Sequence, residues 1–258
     1  MLYSDHPRVH YQKPQLAEVI CQLRFPVILS IGAREPVDFQ EAVRGVFPRY
    51  AAKEEQAARP AVAKGETPRT VVNHHFISAD GHWKLNLTNS FISLSTVTYP
   101  GWEGFGQQFD RPLAHFIRIY QPAFFERIGL RYVNIFSRKA LDLEGELWRE
   151  LIAAPYLGVL AEEDVEESTT RKCSVDVELN LDSTCRAKIH AGPGMVKQNA
   201  PNAPQDPEVK FILDMDLFMS GQIDPRMAAG GLETLHGHST PLFQGAVTDK
   251  LHSALEPR

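Results

Sequence analysis

Glu126-Arg127-Ile128-Gly129-Leu130-Arg131-Tyr132-Val133-Asn134-Ile135-Phe136 is the clearest strand in the chain, and its reading decides the fold. Taken with period two, Arg127, Gly129, Arg131, Val133 and Ile135 share one face. Ile128, Leu130, Tyr132, Asn134 and Phe136 share the other. A guanidinium on so apolar a strand must be paired or face a wet groove, so an anion lies near it. That anion is either a carboxylate of the same sheet or a bound ligand, and this choice is the main functional question.

Working outward, residues 16–29 form an earlier strand candidate, with Pro26 placed at a strand end or bulge. Glu35-Pro36-Val37-Asp38-Phe39 opens a helix carrying Val37, Ala42, Val43, Val46 and Phe47, which Pro48 ends. Residues 53–69 are rich in Ala, Glu, Lys and Pro and read as a mobile connection. A meander follows over residues 71–78, 82–87 and 91–99, turning at Ala79-Asp80-Gly81 and Thr88-Asn89-Ser90. Trp102, Phe105, Phe109, Leu113, Phe116 and Ile117 mark an amphipathic helix to about Tyr120, with a kink or break at Pro112. Beyond the quoted strand come a helix over residues 144–154 and strands over 173–181, 185–191 and 209–219. A Pro-, Asn- and Gly-rich loop spans 192–207. Leu242, Phe243, Val247, Leu251 and Leu255 carry a C-terminal helix.

Residues 1–123 and 124–258 thus both read β-α-β-β-β-α. Leu23-Arg24-Phe25-Pro26-Val27-Ile28 lies over Leu130-Arg131-Tyr132-Val133-Asn134-Ile135. Glu18 matches Glu126 if a β-bulge adds one residue before Arg24. The expected fold is α+β: duplicated units forming a curved, mainly antiparallel sheet backed by helices, in one pseudo-symmetric unit. This organisation resembles TATA-binding-protein-like folds, an analogy of architecture that carries no function.

Composition narrows the function classes. The 258 residues include 43% hydrophobic and 23% charged side chains, and a net charge of −5 gives no global basic footprint for nucleic acid. Cys21, Cys173 and Cys185 lie in strand-like runs without CxxC spacing and read as reduced, buried thiols. With no signal-peptide core and no apolar run of spanning length, a soluble cytoplasmic protein without a membrane partner is expected. GxxxxGK[ST], GxGxxG after a strand, GxSxG and HExxH are all absent, so no cofactor is implied and catalysis is not favoured.

The candidate binding residues are Arg24, Arg127 and Arg131, with Tyr132 and Asn134 as further polar contacts if their ends reach a groove. The duplication places Arg24 and Arg131 near a pseudo-axis, where clustered guanidiniums suit a carboxylate or phosphate. The ordinary alternative is pairing with a strand carboxylate such as Asp176, Glu178, Asp214 or Asp216. Leu213-Asp214-Met215-Asp216-Leu217 sets two carboxylates on one strand face, a spacing for a hard cation or for an acid and base pair. With His236 these define a metal-dependent hydrolase or nuclease alternative. His236-Gly237-His238, between Gly230-Gly231 and Pro241, reads as a broken connection. The default for the histidines is surface or helix-capping positions. Trp83, Trp102 and Trp148 read as core residues.

Several runs together resemble a sporadically distributed bacterial family of uncharacterised proteins of about this length. They are Pro14-x-x-x-Glu18 with Leu23-Arg24-Phe25; Tyr99-x-x-Trp102-x-x-Phe105; Arg127-Ile128-Gly129-Leu130-Arg131-Tyr132-Val133-Asn134; Asp214-x-Asp216; and Leu235-His236 ahead of Phe243 and Val247. The resemblance implies a family without a known activity. Its patchy distribution fits an accessory role, such as defence or a toxin–antitoxin pair. The expected function is therefore a binding or assembly module, taking another protein, a second copy of itself or an anionic ligand.

Overall fold

The computed structural model describes residues 2–4, 6–56, 70–196 and 206–258. The fold is mixed α/β. Its strands are β1 (Leu16–Arg24), β2 (Arg49–Gln56), β3 (Thr70–Ile77), β4 (Trp83–Leu87), β5 (Phe91–Thr96), β6 (Phe125–Phe136), β7 (Val175–Asn180), β8 (Cys185–Met195) and β9 (Val209–Ile223). They form one nine-stranded sheet in the order β2-β3-β4-β5-β1-β6-β9-β8-β7. The helices are α1 (Leu29–Ala33), α2 (Val37–Val43), α3 (Trp102–Tyr120), α4 (Trp148–Leu151), α5 (Ala228–Ala246) and α6 (Asp249–Ala254). No helix among the described residues is long and apolar enough to cross a membrane.

Packing divides the chain into two compact units, each discontinuous in sequence. One comprises Glu18–Leu130 and Met219–Leu232; the other comprises Met1–Ala17, Arg131–Phe218 and Glu233–Arg258. In the first of these, the antiparallel meander of β2 to β5 and β1 buries Phe76, Leu85, Leu87, Ile92, Leu94, Cys21 and Leu23; β1 and β4 alternate, whereas β3 and β5 bury residues of both faces, among them His74, His75, Ser93 and Ser95. The apolar stripe of α3 supplies Phe105, Phe109, Leu113 and Phe116, with Phe116 4.8 Å from Phe25 between ring centres. The helix runs through Pro112 without the expected break. Pro112 is itself buried, and the burial of this stripe offsets the roughly 3 kcal/mol that an interior proline costs.

Residues 53–56 belong to β2, correcting the reading of 53–69 as a connection; 57–69 lie outside the described residues. The Lys53-Glu54-Glu55-Gln56 run is poor in strand formers, and pairing with β3 imposes the strand.

In the other unit, Trp148 and Phe211 pack at 5.3 Å between ring centres, and Phe136, Leu213, Met215, Leu235 and Leu242 are buried. The helix expected over 144–154 contracts to α4. Ile152 is extended there because it makes a β-bridge with Val247, and the Ala153 N–H donates to the Ala246 carbonyl at 2.9 Å. The same bridge separates α5 from α6. The segment read as broken, with Gly230-Gly231, His236-Gly237-His238 and Pro241, is continuous helix, held by buried Leu232, Leu235, Leu242 and Ala246. Trp83 and Trp148 are buried, whereas Trp102 is half-buried and stacks on Phe105. Cys21 and Cys185 are buried and Cys173 is half-buried; all three are free thiols.

Candidate functional site

Strand β6 occupies Phe125–Phe136, and Ile128, Leu130, Tyr132, Asn134 and Phe136 are all buried, as the period-two reading requires. Arg24 and Arg127 lie in one compact unit and Arg131 in the other. The Arg24 Nε–H donates to Gln22 Oε1 at 2.9 Å. The Arg127 guanidinium lies over Gly129, where a Cβ would collide with its Nη1. Glycine at 129 is thus what lets this long side chain lie flat along the strand.

Arg131 meets Asp214 fork to fork. Its Nε–H donates to Asp214 Oδ1 at 2.7 Å and its Nη2 donates to Oδ2. The guanidinium side chain is 46% exposed and the carboxylate only 16%. The pair opens onto a groove of about 450 Å³, lined also by Asp176 and Glu178 of β7, Lys188 and His190 of β8 and Asp216 of β9. Sign alternates across neighbouring strands. Glu178 lies 3.5 Å from Lys188, and Asp176 accepts from His190 at 2.8 Å. Arg186 and Lys188 also stand over the Phe218 ring. Four carboxylates face two permanent cations in the lining, so the groove is acidic on balance. The exposed pairs Glu178–Lys188 and Asp176–His190 contribute about 0–1 kcal/mol each.

Tyr132 and Asn134 belong to the buried face and not to this groove. The Tyr132 hydroxyl is hydrogen-bonded to His236 Nδ1 at 2.7 Å, and Asn134 Nδ2 donates to the Leu213 carbonyl at 3.3 Å. Consecutive strand residues point to opposite faces. Asp214, joined to Arg131, and His236, joined to Tyr132, therefore lie on opposite sides of β6. The hydrolase constellation of Asp214, Asp216 and His236 is not assembled. His236 is buried, as are His74 and His75, which corrects their reading as surface or capping residues.

Lys188 and His190 are site residues that the sequence reading passed over. The signal lay in Cys185-Arg186-Ala187-Lys188-Ile189-His190-Ala191, where buried small and apolar residues alternate with polar ones. Among the described residues, Asp182, Cys185 and His238 bring together three atoms able to hold a metal ion. No family model matches the chain, and no match was found among curated proteins.

Proposed function

We propose that this chain is a non-catalytic binding module that seats a basic segment of a partner protein on the charged face of β6, β9, β8 and β7. The carrying observation is the groove around Arg131 and Asp214, whose lining sets Asp176, Glu178, Asp214 and Asp216 against Arg131 and Lys188, with Val177, Ile189 and His190 completing it, and so holds twice as many carboxylates as permanent cations. An anionic ligand, the expectation from the arginines alone, is less favoured because Asp214 already engages the Arg131 fork. Among the described residues β7 ends the strand order, so its outer edge offers main-chain groups to an extended segment beside the groove. Charge complementarity of this kind speeds encounter and fixes register more than it adds affinity.

An array of lysine- and arginine-rich, acidic and neutral peptides, probed with the purified chain, tests the reading. Selective capture of the basic peptides, falling steeply with salt, is expected. Equal capture of acidic peptides overturns it. The match of residues 23–28 with 130–135 supports a duplicated origin for the fold, and an accessory setting such as defence is consistent with a module whose activity lies in its partner.

A further inference from the structure

The turn joining β7 to β8 is built around Asp182. Its Oδ1 accepts from the Thr184 N–H at 2.6 Å, the Cys185 N–H at 2.7 Å and the Thr184 hydroxyl at 2.9 Å. The Leu181 N–H closes the turn onto the Cys185 carbonyl at 2.8 Å. These bonds lock the carboxylate orientation and leave Oδ2 for a partner, which is His238 Nε2 of α5 at 2.8 Å. Cys185 is fully buried, with its sulfur 3.6 Å from the Thr184 hydroxyl. A carboxylate oxygen, a thiol sulfur and an imidazole nitrogen thus all lie within 4.8 Å of one another. Asp182 is exposed and His238 partly so, which gives the cluster an open side towards water.

We propose that Asp182, Cys185 and His238 form a site for a late first-row divalent cation of the zinc type, with water in the open position. A mixed oxygen, sulfur and nitrogen set is borderline-soft, which selects zinc or cobalt over magnesium or calcium. Tetrahedral bonds of about 2.0–2.1 Å put neighbouring oxygen and nitrogen ligands roughly 3.3 Å apart. A slight opening of the Asp182–His238 contact therefore admits the ion, which replaces the shared hydrogen bond. Binding releases the thiol proton from Cys185. The backbone N–H groups of Thr184 and Cys185 hold the Asp182 carboxylate in place as a ligand. The ion fastens the β7–β8 turn to α5, and its binding raises the melting temperature.

Cobalt(II) titration of the full, untagged chain tests the site, because thiolate ligation adds an intense near-ultraviolet charge-transfer band. One equivalent with that band is expected. Cys185→Ser should abolish the band, and His238→Gln should lower cobalt and zinc affinity at least tenfold. His238 is on the surface side of the cluster, so its variant keeps the test valid if Cys185→Ser does not fold. A wild-type titration without the charge-transfer band, or affinity unchanged in His238→Gln, overturns the site and leaves Asp182–His238 as a plain turn-to-helix contact.

Discussion

Replacing Arg131 with Met separates the two members of its pair by their surroundings. Asp214 is 16% exposed and Arg131 46% exposed, so each loses something different when the other is removed. Without the guanidinium, a mostly buried carboxylate loses two charge-assisted hydrogen bonds and gains little water. The cost of such an orphaned group is about 2 kcal/mol. Without the carboxylate charge, in Asp214→Asn, the amide oxygen still accepts from Nε and water solvates the rest of the fork. That loss is about 1 kcal/mol. At roughly 2–4 °C per kcal/mol for a chain of this size, Arg131→Met should melt about 4–8 °C lower and Asp214→Asn about half as far. Urea denaturation of the two single variants and the double variant gives the energies directly. The double variant should resemble Asp214→Asn, since the uncompensated charge has gone. A larger loss in Asp214→Asn than in Arg131→Met would refute the reasoning, because Asp214 would then not be the member that depends on the pair.

Tyr132→Phe removes the hydroxyl bonded to His236 in a buried setting and should cost about 1–3 kcal/mol in urea denaturation, with no change in peptide binding at the groove. Burial pushes His74 and His75 below the ordinary imidazole value, with the nearby Lys84 charge adding to the effect at His75. The unfolded chain therefore binds more protons than the folded one just below about pH 6.5, so stability should fall as pH drops through that value. His75→Gln should flatten the slope between pH 7 and 5 in thermal melts, and an unchanged slope would contradict the assignment. Asp216→Asn, which lightens the groove's acidic side, should weaken basic-peptide binding about tenfold in fluorescence anisotropy.

Much of this architecture is legible in the sequence because it rests on local alternation. Strand β6 carries its buried row at Ile128, Leu130, Tyr132, Asn134 and Phe136, and the α3 stripe of Phe105, Phe109, Leu113 and Phe116 needs only a helical period. What escaped depends on distant partners. The shortening of α4 comes from the Ile152–Val247 bridge, and the strand character of residues 53–56 comes from β3. Four strand carboxylates were equivalent candidates for Arg131, and only the strand order brings Asp214 of β9 beside β6. The same holds for Tyr132, whose hydroxyl looked available until α5 placed His236 over it on the buried face. Long-range pairing, which single-sequence periodicity does not encode, therefore decides which polar residues form the groove.

Calorimetric titration of one lysine- and arginine-rich peptide, and of its acidic counterpart, into the wild-type chain and Asp214→Asn/Asp216→Asn tests the central claim most directly. The account predicts saturable binding of the basic peptide alone, weakened at least tenfold in the double variant. Binding of the acidic peptide instead, or basic-peptide binding unchanged by the double substitution, would contradict it.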